Sequence, residues 1–396
     1  MNQKANLALV RLGIAPLTPA SVYALLYTAL FGCAVLGLVQ KTWAALLFPA
    51  YFMLALLLIT TLSRTLPLRW FLFCFIYGAT IVPVLALALG WPAGQVFGLD
   101  SRFRGGVIIP LLEETIKLAP ILVLLAWRGW RYRWTAGASD LMLLGAAVGG
   151  GFLFWEDTIL GFWPGGVGRQ SATEFLLDMH AATPHVGPLY LYPTMDIGTA
   201  HTAFIGHMGA TAFVALGIGL ARLLGRRLGA AVWALPALAW GWVVAEHGLF
   251  NYVIDSGGMS GITRFVYSLD GYGRLSSLAF YLLLLATLAL ERRLLWRSSE
   301  RTRPYRLERA NLRLLAGGVT NPLDYLAQVL DLRVYLRERR ALTYGLHYFH
   351  AAGREQGKDE KRLDYLTRLA GTLAEWKAKV EVAPSLLLAE AQEAVA

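Results

Sequence analysis

Apolar runs of about 20 residues recur along the chain, separated by short polar connections: residues 20–40, 43–63, 68–91, 105–127, 136–163, 198–221, 229–254 and 275–296. As a helix, each is long enough to cross a hydrocarbon core of about 30 Å. The pattern predicts an all-α fold, a polytopic helical membrane bundle of about eight transmembrane helices. After Trp296 charge becomes dense, no spanning run occurs, and Leu323, Leu326, Leu330 and Val334 return at a helical period. Asn321-Pro322 reads as an N-cap followed by proline at the first helical position. Two domains are therefore expected: a transmembrane domain over 1–297 and a small C-terminal helical cytoplasmic domain over 298–396.

Composition supports the membrane class, with 56% hydrophobic and only 16% charged residues against about 25% charged in soluble domains. A net charge of +10 raises the question of nucleic acid, but its distribution answers it. Arg64 and Arg69, then Arg128, Arg131 and Arg133, then Arg222, Arg226 and Arg227, then Arg292, Arg293, Arg297, Arg301 and Arg303 fall on alternate connections. That alternation follows the positive-inside rule, so nucleic acid is set aside, and a multi-pass cell-membrane protein with both termini cytoplasmic is expected. Cys33 and Cys74 both fall in apolar runs, which supports neither a disulfide framework nor a thiolate metal site. The connection 164–197, rich in Gly, Pro and Tyr, is long enough to cap a site. Gly149-Gly150-Gly151 lies inside a predicted span, where glycines permit close helix packing.

Four spans carry groups that do not belong in hydrocarbon. Glu113, Glu114 and Lys117 are the only ionisable residues between Gly105 and Trp127, and each charge at a helix centre costs about 2.5 to 3.5 kcal/mol on insertion scales. Glu113 and Lys117 are spaced i,i+4 in the favoured order. Glu114, about 100° round the helix, is expected to find its partner on another helix. Phe152 and Glu156 share a face of the fifth span. His201 opens the sixth, with His207 deeper and on another side. His247 and Asn251 share a face of the seventh, where the amide is placed to orient the imidazole. Counted from the outer ends of the spans, Glu113, Glu156 and His247 agree in depth to within a turn. A shared site is therefore expected, with Glu113, Glu114, Glu156, His201 and His247 as its catalytic residues and Lys117, Phe152 and Asn251 in support.

No Ser-His-Asp pattern, Gly-x-Ser-x-Gly, His-Glu-x-x-His or catalytic cysteine is present. Carboxylates with imidazoles and no nucleophile point to an activated water, with a buried glutamate as base. With Glu113 assigned to Lys117, that base is expected to be Glu114. No cofactor is required by this chemistry, although the same side chains are ligands for a divalent metal such as zinc. Two other classes stay open: a non-catalytic membrane scaffold or partner-binding subunit, and a proton-coupled transporter, since intramembrane Glu and His also relay protons.

Glu113-Glu114-x-x-Lys117, Gly151-Phe152-x-x-x-Glu156, the His201-Thr-Ala-Phe-Ile-Gly run and His247-Gly-Leu-Phe-Asn251 resemble, in order and spacing, the four motifs of the PrsW intramembrane proteases. That family shares a superfamily with type II CAAX prenyl endopeptidases, bacteriocin-processing enzymes and the multispanning scaffold subunit of gamma-secretase. The resemblance covers roughly Gly105 to Val253, and Glu156 stands where CAAX enzymes carry His, which favours the PrsW branch. It implies a glutamic-type protease cutting membrane-tethered proteins, such as anti-sigma factors, near the outer side of the bilayer. Its implied partners are a membrane-anchored protein substrate and the lipid bilayer. Neither the connection 164–197 nor the segment after Trp296 belongs to the core of that resemblance.

Overall fold

In hydrocarbon no water satisfies the backbone, so an apolar run must pair its own N–H and C=O groups, and the helix is the single-chain solution. The computed structural model describes residues 42–96, 101–126, 132–162, 195–197, 200–202, 206–255, 260–270, 274–297, 322–351 and 364–377. They form α1 (Thr42–Ile59), α2 (Leu68–Val96), α3 (Ile109–Lys117), α4 (Ala119–Ala126) and α5 (Ala138–Phe162), then the strands β1 (Met195–Ile197) and β2 (Ala200–Thr202). After these come α6 (Gly206–Leu228), α7 (Ala234–Asp255), α8 (Gly261–Leu269), α9 (Arg274–Arg297) and α10 (Pro322–Ala351). The fold is almost entirely helical. The exception among the described residues is the antiparallel pair β1–β2, in which Asp196 stands opposite His201.

Among the described residues four helical stretches are long and apolar enough to cross a membrane: Leu68–Val96, Ala138–Glu156, Gly206–Gly225 and Gly229–Val253. They coincide with four of the runs anticipated from sequence. α1 and α9 occupy two more of those runs but are not among the four. The run 20–40, with Cys33, and all of the connection 164–197 before β1 lie outside the described residues.

The expected span 105–127 is not one helix. It divides into a π-helical turn at Arg104–Ile108, α3 and α4. Pro110 and Pro120 are the physical cause, since neither has an N–H to donate and each ring crowds the carbonyl four residues before it. Ahead of Pro120 that carbonyl is Ile116 O, and the Tyr77 hydroxyl of α2 donates to it at 3.2 Å.

The core sits where α5 and α6 cross. The apolar windows of α5 and α6 are 83% and 78% buried inside the protein, whereas those of α2 and the Gly229–Val253 stretch are 28% buried and present the rest outward. α5 packs against α1, α2 and α6, and glycine allows the approach. A Cβ at Gly149 would lie 2.2 Å from His207 O, and one at Gly151 would lie 1.9 Å from Phe75 O. The Gly149–Gly151 run thus brings α5 onto α6 and α2 at backbone distance, as the sequence predicts. At the other end of α5, buried Asp140 accepts from Thr65 N and Leu66 N at 2.9 and 3.0 Å and from Gly137 N at 2.9 Å, fastening the α1–α2 connection to the helix start.

α10 begins at Pro322 as expected from the Asn321-Pro322 pair. Its Tyr335 and Leu342 join Leu366, Leu369 and Leu373 of a further helix at 364–377 in a hydrophobic cluster separate from that of the bundle, with Tyr335 and Trp376 stacked at 6.2 Å.

Candidate active site

Four helices bring their buried polar side chains to one point. α3 packs against α2, α5 and α7, and Glu113, Glu114 and Lys117 lie with Pro110 on its buried side, while Leu111 and Thr115 face outward. Lys117 is the centre: 0% exposed, its Nζ donates to Glu114 Oε1 at 2.8 Å and to His207 Nδ1 of α6 at 2.8 Å. It also lies 4.0 Å from the centroid of the Phe152 ring, a cation–π contact that a dry site strengthens.

The network assigns the histidine tautomers. An ammonium can only donate, so His207 Nδ1 accepts and its Nε2–H donates to Glu156 Oε2 at 2.7 Å. Glu114 Oε1 also lies 3.0 Å from His247 Nδ1. A carboxylate accepts, so His247 carries its proton on Nδ1 and turns the Nε2 lone pair toward Glu113 Oε2, 3.7 Å away. The two imidazoles meet edge to face at 4.7 Å, and Phe152 meets His207 in the same way at 4.7 Å.

Glu113, Glu156 and His247, expected to share a depth, thus lie around one point, and Glu114, Phe152 and Lys117 lie with them. The pairing of the two adjacent glutamates with Lys117 differs from the expectation. Glu114 is the close partner of Lys117 at i,i+3, while Glu113 stands 3.9 Å from Nζ. Positions three and four apart are both neighbours on a helix, and His247 and His207 on the facing helices draw Lys117 to the Glu114 side. Asn251 does not orient His247 through the bonds that the structure shows. Its Nδ2 donates to Gly105 O at 3.1 Å. In the π-helical turn Ile109 N–H bonds back five residues to Arg104 O; the next bond in that register would come from Pro110, which has no N–H. Asn251 supplies the missing donor to Gly105. Beside it Gly248 meets the turn so closely that a Cβ would lie 2.1 Å from Gly106 O. Asn251→Leu is expected to leave that carbonyl unsatisfied at a cost of about 1–3 kcal/mol, read as a lower melting temperature of the detergent-solubilised protein. An unchanged melting temperature would show that Gly105 O has another donor.

His201 lies in β2, opposite Asp196, not at the start of the sixth helix. That helix begins at Gly206, whose φ of 71° turns the chain between strand and helix; the His201 side chain lies outside the described residues. His207, noted in the sequence but left out of the expected site, is the α6 histidine that joins the cluster. The Gly206-His207 step was its available signal: an imidazole in the first turn of a helix that opens at a glycine, on the face that Gly149 lets α5 approach.

One nitrogen or oxygen from each of Glu113, Glu114, His207 and His247 falls within 4.8 Å of the others, all four residues being buried. Glu and His are zinc ligands with bonds of about 2.0–2.2 Å, so the donor set fits a divalent metal. The His247 lone pair facing a carboxylate oxygen across 3.7 Å is an arrangement that a cation or a water relieves. On Glu114 Oε1 and His207 Nδ1 an ion competes with the Lys117 ammonium.

A protein-family model described as PrsW family intramembrane metalloprotease matches residues 66–286, more than half of the chain and every residue of the cluster. No curated protein and no solved structure matches.

Proposed function

The chain belongs to the PrsW family of intramembrane metalloproteases, and from that premise we propose that it is an endopeptidase hydrolysing a peptide bond of a membrane-tethered protein at the Glu113–Glu114–His207–His247 cluster. The observation that carries this reading is the pair Glu113 Oε2 and His247 Nε2, 3.7 Å apart, each turned toward the other with its partners already arranged behind it.

A hydrolytic water is held between these two atoms. Glu113 takes a proton from it as the oxygen attacks the scissile carbonyl carbon, and returns that proton to the leaving amine as the C–N bond breaks. His247 is kept in the Nδ1–H tautomer by Glu114 Oε1, so Nε2 stays an acceptor aimed at the water; a carboxylate behind an imidazole is the usual way to hold it so. Lys117 neutralises Glu114 and, through His207 Nδ1, aims the Nε2–H of His207 at Glu156. The Glu156 side chain is 35% exposed and that of Lys117 not at all, so water and substrate enter from the Glu156 side. Glu113, Glu114, His207 and His247 are the residues that would hold a divalent metal, and such an ion supplies a Lewis acid and makes water a stronger nucleophile near neutral pH. A strictly glutamic-type reaction uses the same residues without it.

On the topology that the arginine alternation implies, with cytoplasmic termini and a cytoplasmic 298–396 domain, the site lies nearer the outer surface. Single-pass proteins cut there, anti-sigma factors among them, are the substrate class that fits. The test is cleavage of a purified tethered substrate by the reconstituted full-length protein, before and after chelation and after zinc is restored. Loss on chelation with recovery on zinc supports the metal form, and unchanged cleavage supports the glutamic form. An inert wild-type protein against several tethered substrates, with or without zinc, favours the scaffold reading.

A further inference from the structure

Four arginines gather where α10 meets the α1–α2 connection, away from the cluster described above. Arg64 ends four residues before α2 begins, at the rim of a membrane-spanning helix. It is 6% exposed, its guanidinium carbon stands 5.8 Å from the Phe71 ring centre, and its Nη1 is buried with no hydrogen-bond partner among the described residues. From α10, Arg340 Nε donates to the backbone oxygen of Arg64 at 3.0 Å. Arg333, Arg337 and Arg340 recur at the i, i+4, i+7 spacing of one helix face, and all three act electrostatically on Arg64.

Among the described residues the carboxylates set against them are already engaged. Asp140 spends both oxygens on Thr65, Leu66 and Gly137, and Glu338 is held by Arg337 Nη2 at 2.7 Å. Burial, and after it the charge of Arg333, pulls Arg64 down to about 10, and burial brings Arg340 to about 10 as well. Both remain charged at neutral pH, so the group keeps its mutual repulsion and the buried Nη1 keeps its unmet donor, each of which disfavours the fold. Exposure rises from buried Arg64 through half-buried Arg337 and Arg340 to exposed Arg333, so the group opens to the surface beside the membrane rim.

We propose that Arg64, Arg333, Arg337 and Arg340 form a binding site for a phosphate-bearing anion between the rim of the bundle and α10. Guanidinium forks match phosphate oxygens in pairs, and one anion meets the orphan donor and offsets the repulsion together. The connection immediately precedes α2, which is long and apolar enough to cross a membrane, and it is one of the arginine-rich ones, the kind of basic cluster that anionic headgroups attract. An anionic phospholipid is therefore the favoured source; free phosphate shares its chemistry.

The test titrates full-length protein in neutral detergent with short-chain phosphatidylglycerol, short-chain phosphatidylcholine or inorganic phosphate, and follows the melting temperature. Phosphatidylglycerol is expected to raise it saturably and phosphatidylcholine to leave it unchanged. Arg333→Gln, a substitution at an exposed position, should weaken the apparent affinity about fivefold, the order of one guanidinium near an anionic surface, and Arg64→Gln should remove most of the effect. Without added anion, Arg333→Gln should raise the melting temperature by relieving repulsion, a gain that a merely structural arginine would not show. An equal saturable rise with inorganic phosphate, lost in the same variants, supports the site and names free phosphate as the source. The proposal is overturned if neither anion gives a saturable rise, if the variants leave the rise unchanged, or if Arg333→Gln lowers the basal melting temperature. Should Arg64→Gln not fold, the Arg333→Gln titration decides alone.

Discussion

Glu113→Gln is expected to slow cleavage of a tethered substrate by about a hundred- to ten-thousand-fold, the range for a lost general base, while the protein melts near the wild-type temperature. The expectation comes from the unequal partners of the two adjacent carboxylates. Glu113 stands 3.9 Å from Lys117 Nζ and 3.7 Å from His247 Nε2, close enough to share a water with the imidazole but outside direct hydrogen-bond range. Neutralising it removes the proton acceptor and leaves the Lys117–Glu114–His247 bonds in place. Glu114→Gln acts differently. It removes the charge of the carboxylate that receives both Lys117 and His247, at 2.8 and 3.0 Å, and strands the buried ammonium without its close counter-ion, so stability and activity should fall together. Cleavage rates beside melting curves for the two variants decide the matter. A stable, inactive Glu114→Gln protein next to an active Glu113→Gln one would reverse the assignment.

Lys117→Met is expected to be the most destabilising of the site substitutions. Its ammonium is fully buried and donates to Glu114 and His207, and removing one partner of a buried pair costs about 3–5 kcal/mol because the other charge is stranded. That is a large part of the 5–15 kcal/mol typical of a folded domain. The double variant Lys117→Met/Glu114→Leu should recover much of the stability, since the stranded carboxylate is gone, yet remain inactive because His247 loses its orienting acceptor. Non-additivity of this kind is expected of residues in one network. Additive melting shifts in the double variant would show that Lys117 and Glu114 contribute independently.

Much of this architecture was legible along the chain. Runs long enough for a bilayer, broken by arginine-bearing connections, predict the helices that became α2, α5, α6 and α7, because a helix satisfies its own backbone and needs no distant partner to exist. The cost of charge in hydrocarbon marked Glu113, Glu114, Lys117, Glu156 and His247 as side chains requiring company, and matching depths on separate helices implied that they keep company with one another. Glycine at Gly149 and Gly151 signalled where backbones touch, and Pro322 where α10 starts. These are local properties, set by composition, period and spacing within a few turns.

What only the tertiary structure decided is which neighbour each of these groups takes. The i,i+3 and i,i+4 partners of Lys117 are equally near on the helix, and the choice of Glu114 falls to His207 and His247 arriving from α6 and α7. Asn251 had a neighbour at i−4 in His247, yet its amide goes across a helix contact that sequence spacing does not encode to Gly105 O, which lacks a backbone donor because Pro110 has no N–H. The span 105–127 divided for the same reason, since each proline-freed carbonyl found a donor from another helix, Tyr77 in one case and Asn251 in the other. His207 entered the site because Gly206 starts α6 and Gly149 admits α5 to its first turn. Pairing across helices depends on which faces meet and how closely, and those are properties of the packed bundle rather than of any one segment.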